Sequence, residues 1–136
     1  MDLTLNCTFL EVDDHEAAIA FYRDTLGLEV RMDVVMEHAR WLTVGPKAQP
    51  ELGIVLVTVG VGRPPNDAQT LRELLAKGSL SGLVFQSDDV DALFEKVAAS
   101  GAEVLQEPMD QPYGLRDCAF RDPAGNMVRF NQKPKR

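Results

Sequence analysis

Residues 11–30 read EVDDHEAAIAFYRDTLGLEV, and this stretch decides the fold because residues 86–104, QSDDVDALFEKVAASGAEV, repeat its order. Each copy has a pair of aspartates, a helical stretch, and then a glycine followed by one residue, Glu and Val. The second aspartate precedes the glycine by 13 residues in the first copy and by 12 in the second. The same start signal, period and stop signal in the same order indicate a duplicated module.

Each copy carries the signals of an amphipathic helix. Asp14 and Asp89 lie where an N-cap carboxylate accepts hydrogen bonds from the amide groups of a first helical turn. Gly27 and Gly101 lie where a helix ends in the left-handed conformation. Apolar residues recur between them at helical spacing, namely Ala18, Phe21, Tyr22 and Leu26 in the first copy and Val90, Leu93, Phe94, Val97 and Ala98 in the second. We therefore predict one helix per module, packed on one face of a sheet.

Strands are predicted on both sides of these helices. They span residues 3–12, 28–35, 40–44 and 52–59 in the first half and residues 80–87, 103–106, 115–121 and 126–132 in the second. The last two strands are joined by the turn Asp122-Pro123-Ala124-Gly125-Asn126, in which Pro fixes φ and Gly supplies a positive φ. The predicted fold is α+β, with two βαβββ modules that form a curved mixed-sheet cup and carry their helices outside.

A stretch rich in glycine and proline, residues 60–65, separates the two modules. We place the first module at residues 1–60 and the second at residues 80–136. The linker between them, residues 61–79, contains a short predicted helix over residues 67–77 with Leu71, Leu74 and Leu75 on one side. The whole chain is expected to form one compact domain.

Composition narrows the classes of partner. The 136 residues have a formal net charge of −7, and the sequence pI is about 4.7, so we expect no nucleic-acid and no membrane role. No apolar run is long enough to span a bilayer, and the first residues do not resemble a secretory signal. Two cysteines, Cys7 and Cys118, make no disulfide framework. A cytoplasmic location is expected.

Two separated motifs resemble the glyoxalase/bleomycin-resistance/extradiol-dioxygenase superfamily, the vicinal oxygen chelate fold. They are FYRDTLGL at residues 21–28 and FRDPAGN at residues 120–126, and the likeness covers residues 3–132. The resemblance implies the duplicated βαβββ fold. Because the superfamily includes isomerases, dioxygenases, thiol transferases and metal-free drug-binding proteins, it leaves the function open.

The resemblance also implies where a metal ion would be held. Family enzymes use one residue from the first strand and one from the last strand of each module. The matching first-strand positions are Cys7 and Gly82, seven residues before each capping aspartate, and the last-strand position of the second module is Arg129. The last strand of the first module, residues 52–59, contains no carboxylate or imidazole. Because a glycine has no side-chain donor and a guanidinium repels a divalent ion, we predict no metal and no other cofactor.

Strand alternation predicts which side chains line the cup. Leu10 and Val12 are expected to pack under the first helix. The predicted ligand-binding residues are Cys7, Phe9, Glu11, Trp41, Gln86, Tyr113, Arg129 and Asn131. Several of these residues also have a structural interpretation. Trp41 either stacks on a ligand or belongs to the core, and Tyr113 either lies at the rim of the pocket or does not. Cys7 is expected to behave mainly as a small buried apolar residue. Arg129 either contacts a ligand or pairs with Glu11 or another acid.

These residues favour a metal-free protein that binds a small aromatic or cationic, antibiotic-like molecule and confers resistance by sequestration. No catalytic residue is assigned, and a homodimer is expected by analogy with the resistance branch of the family. The alternative is a glyoxalase-like or dioxygenase-like enzyme, which needs an unconventional metal site or acid–base chemistry by Glu11, His38 or Tyr113. A dimeric scaffold with a vestigial pocket is the third hypothesis.

Overall fold

Two four-stranded mixed sheets account for most of the regular structure in residues 1–37, 39–80 and 82–133, the part of the chain that the computed structural model describes. The chain divides into two compact units, Met1–Leu75 and Ala76–Arg136. Each unit contains one sheet and one helix inserted after its first strand. The predicted α+β fold of two βαβββ modules is confirmed.

In the first unit the sheet has the strand order β1-β4-β3-β2. Its elements are β1 (Cys7–Val12), α1 (His15–Ile19) continued by a π-helical segment (Ala20–Thr25), β2 (Glu29–Met36), β3 (Ala39–Gly45) and β4 (Gly53–Thr58). β1 runs parallel to β4, whereas the other neighbours are antiparallel. Helix α2 (Pro65–Ala76) follows and ends at the start of the second unit.

The second unit repeats this topology with the strand order β5-β8-β7-β6. Its elements are β5 (Leu83–Ser87), α3 (Val90–Ala99), β6 (Val104–Asp110), β7 (Arg116–Arg121) and β8 (Met127–Gln132). Again the first strand of the unit is parallel to the last. No helix in the described part of the chain is long and apolar enough to cross a membrane.

The helix start and stop signals act as the sequence predicts. Oδ1 of Asp14 accepts hydrogen bonds from the amides of Glu16 and Ala17, at 2.9 and 3.2 Å. Oδ1 of Asp89 accepts one from the amide of Ala92 at 3.0 Å. After the helices, Gly27 and Gly101 have φ values of 82° and 90°, a region that glycine adopts without a steric penalty.

The first helix differs from the regular helix that the sequence predicts. Its second half, Ala20–Thr25, is π-helical, and the amide of Leu26 donates to the carbonyl of Phe21 at 3.0 Å. A π-turn rotates less per residue than an α-turn, so two adjacent aromatic side chains, Phe21 and Tyr22, are both buried. Their rings contact edge to face at 4.9 Å.

Three strands have an end at least three residues from the predicted one. β5 begins at Leu83 rather than at residue 80. β1 begins at Cys7 rather than at residue 3, because its partner β4 begins at Gly53, which lies opposite Cys7. β6 extends to Asp110 rather than ending at residue 106, although it contains Pro108. Since β6 is the edge strand of its sheet, a proline that cannot donate a hydrogen bond is tolerated there.

The cores lie between each sheet and its helix. In the first unit the core residues on one face of the sheet are 0–5% exposed, namely Leu10, Val12, Leu42 and Leu56. Arg40 lies on the same face and donates a hydrogen bond to Glu16 of α1, so this face is the one that α1 covers. In the second unit Phe120 packs against Phe94 of α3 with ring centroids 5.3 Å apart. Val128 and Phe130 are buried on the same side of β8. Each sheet therefore has a second face whose side chains point away from α1 or α3.

Candidate functional site

The second face of the first sheet is apolar, and we call it the Phe9 face. The strand register places Phe9 beside Val55, Val55 beside Thr43, and Thr43 beside Met32. One step along, Val34 lies opposite Trp41. Cys7 and Glu11 occupy the same side of β1 by alternation. All four predicted site residues of this unit, Cys7, Phe9, Glu11 and Trp41, thus lie on one face.

The position of Trp41, which strand alternation leaves open, is decided by its ring contacts. The ring of Trp41 meets the ring of Phe9 edge to face, with centroids 6.1 Å apart at 83°. Its neighbours in β3, Leu42 and Val44, are fully buried on the helix side. Trp41 is half-buried and faces away from α1, so it is available for contact with another molecule.

Several large apolar side chains on the Phe9 face are exposed to solvent. Phe9 is 59% exposed, Met32 49% and Val34 45%, while Val55 beneath them is 1% exposed. Exposed contiguous apolar surface of this kind costs free energy in water and often marks a binding surface. Aromatic rings supply the largest contact area for a flat apolar ligand.

Glu11 is the acidic group on this face. Burial of its carboxyl raises its pKa, and the positive charge of Arg63 opposes that shift. The side chain is half-buried at the end of β1, beside Val57. It is therefore a carboxyl that a cationic group of a ligand would stabilise in its charged form.

The second face of the second sheet is polar, and we call it the Arg129 face. The register places Gln86 beside Asn131 and Asn131 beside Asp117, with Arg129 two residues back along β8. Gln86 is exposed, whereas Arg129 and Asn131 are half-buried. The three predicted residues Gln86, Arg129 and Asn131 are on one face, and Asp117 is a fourth that the sequence analysis does not identify.

Asp117 is the centre of a hydrogen-bonded cluster on the Arg129 face. Although charged, it is only 1% exposed. Its Oδ1 accepts from Nε2 of Gln106 at 2.7 Å and from Nε2 of Gln111 at 2.8 Å. Its Oδ2 accepts from the hydroxyl of Tyr113 at 2.9 Å and from Nη1 of Arg129 at 3.0 Å. Four donors on two oxygens satisfy the buried carboxylate.

These contacts set the ionisation of the cluster. Burial on its own raises the pKa of Asp117, but hydrogen bonds from Gln111, Gln106 and Tyr113 and the charge of Arg129 outweigh it, so the net pKa is below the usual range. The hydrogen bond to Asp117 raises the pKa of the Tyr113 phenol. At neutral pH, therefore, Asp117 is a carboxylate and Tyr113 is a neutral phenol that donates a hydrogen bond to it.

Tyr113 reaches Asp117 from a short loop between β6 and β7. The loop closes through a hydrogen bond from the amide of Gln111 to the carbonyl of Leu115, at 2.8 Å, and Gly114 adopts a φ of 95°. Tyr113 as a residue is 66% exposed even though its hydroxyl is bonded. It thus lies beside the polar cluster and is accessible to solvent.

The residues at the positions implied for a metal do not fit a divalent ion. Gly82 has no donor atom, and an added Cβ there would lie 1.6 Å from the carbonyl oxygen of Met127, so no side chain fits at this point. Arg129 is cationic and is paired with Asp117. Among the described residues, no three His, Cys, Asp or Glu side chains come together as a potential metal site. Nε2 of His15 bonds the carbonyl of Leu56, and His38 lies outside the described residues.

Three members of the polar cluster are not among the residues predicted from the sequence, namely Asp117, Gln106 and Gln111. A signal for Asp117 was present, since it is an acid in the otherwise apolar run Asp117-Cys118-Ala119-Phe120 of a central strand. A charge in such a run needs a buried partner. The glutamines gave no comparable signal, because their roles depend on the register of β6 with β7 and on the loop that follows β6.

Comparison with protein families gives a match over nearly the whole chain. Residues 4–130 match the family model of the Glyoxalase/Bleomycin resistance protein/Dioxygenase superfamily. Among curated proteins, the uncharacterized protein PA2024 of Pseudomonas aeruginosa is 30% identical over 135 residues, which are 96% of this chain and 89% of that protein.

Solved structures of similar proteins share both fold and sequence with the chain. UcmS2 is 36% identical, with a TM-score of 0.88 and coverage of 96% of this chain and 98% of its own. TnmS3, an antibiotic binding protein from Streptomyces sp. CB03234, is 33% identical, with a TM-score of 0.76 and coverage of 98% of both chains. Duplicated sheet modules of this kind are therefore found in at least one protein that binds an antibiotic.

Proposed function

The chain belongs to the glyoxalase/bleomycin resistance protein/dioxygenase superfamily, and on that premise we propose that it binds a small aromatic or cationic, antibiotic-like molecule without converting it. The sequence similarity to TnmS3 supports this class of ligand. Membership of the superfamily by itself does not, because fold alone does not determine function.

The observation that carries the proposal is the Phe9 face. It presents an edge-to-face aromatic pair, Phe9 and Trp41, together with the exposed side chains of Met32 and Val34. Flat apolar ligands bind such surfaces through contact area, and methionine adapts to irregular ligand shapes. Glu11 on the same face and the net charge of −7 favour a ligand that also carries a positive charge.

The proposed binding protein works without a metal ion and as a homodimer. We propose that binding needs no metal, since Gly82 and Arg129 occupy two of the positions that the family uses for metal ligands. A tightly bound antibiotic is kept from its target, so sequestration in the cytoplasm is the expected route to resistance. A homodimer is the expected form of the binding protein.

Trp41, the sole tryptophan, makes binding measurable. Titration of the metal-free protein with polycyclic aromatic and cationic antibiotics is expected to change Trp41 fluorescence and to saturate at a fixed stoichiometry. Mass spectrometry of the recovered antibiotic is expected to show an unchanged mass. Val35→Ala alters an exposed residue on the opposite side of β2 from Val34, so it is the control variant and should leave the titration unchanged.

Three results would contradict the proposal. Chemical conversion of the antibiotic at a rate that depends on protein concentration would make the protein an enzyme. One equivalent of tightly held metal per chain, found by elemental analysis of untagged protein and needed for binding, would overturn the metal-free part. Absence of any binding across the panel would leave the scaffold hypothesis.

A further inference from the structure

Only one of the three guanidinium nitrogens of Arg129 makes hydrogen bonds to neighbouring side chains in the part of the chain that the structure describes. Nη1 donates to Oε1 of Gln106 and to Oδ2 of Asp117, both at 3.0 Å. Among the described residues, Nε and Nη2 have no hydrogen-bond partner. No buried polar side-chain atom of the described residues lacks a partner, and the side chain is 27% exposed, so this unpaired edge is accessible to another molecule.

The groups that hold Arg129 are themselves held. Nε2 of Gln106 donates both to the backbone carbonyl of Asp117 at 3.2 Å and to its Oδ1 at 2.7 Å, which directs Oε1 toward the arginine. Asp117 is fixed by Gln111 and Tyr113 in addition. A guanidinium that is already ordered loses little conformational entropy when it binds a ligand.

The groups of this cluster that are left for a ligand are hydrogen-bond donors. The carboxylate of Asp117 accepts four hydrogen bonds and has a pKa below its usual range, so it offers little to a ligand cation. The free edge of Arg129 presents N–H groups in one plane, and the matching partner is a planar group with two oxygen acceptors side by side.

We propose that the Nε–Nη2 edge of Arg129 anchors a carboxylate or an equivalent pair of neighbouring oxygens on the bound molecule, with Asp117 as a positioning residue. This inference rests on the proposed binding function and refines the ligand class. The refined class is a ligand that carries an oxygen-bearing planar group for the Arg129 face.

The test uses benzoate as the probe and benzylammonium as its counterpart of similar size with no oxygen acceptor. The ¹H–¹⁵N resonance of Arg129 Nε, assigned by its loss in Arg129→Lys, is expected to shift with benzoate and to saturate in the millimolar range. Benzylammonium is expected to leave it in place. Arg121→Lys is the matched control, because Arg121 is on the same face and 28% exposed but already donates through Nε to Glu103 and through Nη1 to Gly125.

The second measurement separates this inference from the proposed function. For any antibiotic that binds and bears a carboxylate or paired oxygens, Arg129→Lys is expected to weaken its affinity, measured by isothermal titration calorimetry, at least tenfold, and Arg121→Lys less than twofold. Equal weakening by both variants, or unchanged affinity in Arg129→Lys, would overturn the anchor while leaving the binding function intact. A benzoate shift without any antibiotic binding would instead count against the proposed function.

Discussion

Nη1 of Arg129 lies 3.0 Å from Oδ2 of Asp117, a carboxylate that is 1% exposed in a chain with an excess of acidic residues. The pair is asymmetric, because the arginine is 27% exposed and the aspartate is enclosed. Removal of the acid therefore leaves a cation that solvent reaches only partly, and it takes one acceptor from each of the donors Gln106, Gln111 and Tyr113.

Asp117→Asn is expected to lower the free energy of unfolding by about 1–3 kcal/mol, since an amide puts a donor where donors already converge. Urea denaturation at neutral pH measures the loss. Asp110→Asn is the control, because Asp110 pairs with Arg116 at 3.3 Å while 84% exposed, and its loss should have little effect. Equal stability of the two variants would show that the buried cluster contributes nothing.

Acid is expected to destabilise the wild type through the same carboxyl. The folded-state pKa of Asp117 is below its unfolded value, so the unfolded chain binds the proton more readily. The stabilisation is complete above the unfolded pKa of about 4 and is lost as the pH falls from there through the folded pKa. The free energy of unfolding measured from about pH 5 downward should thus fall less steeply in Asp117→Asn than in the wild type. Parallel curves would contradict the assignment.

Phe9 and Leu10 are neighbours in β1 on opposite faces, and they should separate binding from stability. Phe9→Ala is expected to weaken antibiotic binding about tenfold while reducing stability by about 1 kcal/mol or less, since Phe9 is 59% exposed. Leu10→Ala removes a side chain that is 5% exposed and should reduce stability by about 2–4 kcal/mol. Trp41 fluorescence titration and urea denaturation give the two quantities. Strong binding by Phe9→Ala would contradict the role of the Phe9 face.

Gly82→Ala is expected to be among the most damaging single substitutions in the second unit. The new Cβ would lie 1.6 Å from the carbonyl oxygen and 2.7 Å from the carbonyl carbon of Met127, so the backbones next to the β5–β8 pairing must move apart. A loss of about 2–4 kcal/mol, seen as a lower Tm, is the expected result. Gly62→Ala meets no atom within 4 Å and bears only the cost of its positive φ, about 1 kcal/mol. A smaller loss for Gly82→Ala than for Gly62→Ala would contradict the close approach.

The two cysteines are expected to differ in reactivity. Cys118 is fully buried, and burial raises its pKa to about 11, whereas Cys7 is half-buried on the Phe9 face. A thiol reagent at neutral pH should modify Cys7 first and reach Cys118 only on unfolding. In Cys7→Ser the native protein should therefore be nearly unreactive. Rapid labelling of Cys7→Ser without denaturant would show that the second unit opens.

Features that depend on neighbours along the chain could be predicted from the sequence. The capping aspartates accept hydrogen bonds from amides two or three residues ahead, and the left-handed glycines end the helices that these caps begin. Their spacing in the sequence is therefore enough to predict both, as for Asp14, Asp89, Gly27 and Gly101. The Asp122 turn is of the same kind, since its Oδ1 accepts from three amides two to four residues ahead. The duplication and the fold class follow from such local signals used twice.

Features that depend on strand pairing were decided only by the tertiary structure. Trp41 lies on the Phe9 face because β3 pairs with β4 in one particular register. A register shift of one residue would place Trp41 on the helix side and the buried Leu42 on the Phe9 face. Arg129 forms its ion pair with Asp117, twelve residues away on the adjacent strand, rather than with Glu11. Alternation fixes which residues share a side of a strand, but only the hydrogen-bonded register brings side chains of different strands within bonding distance.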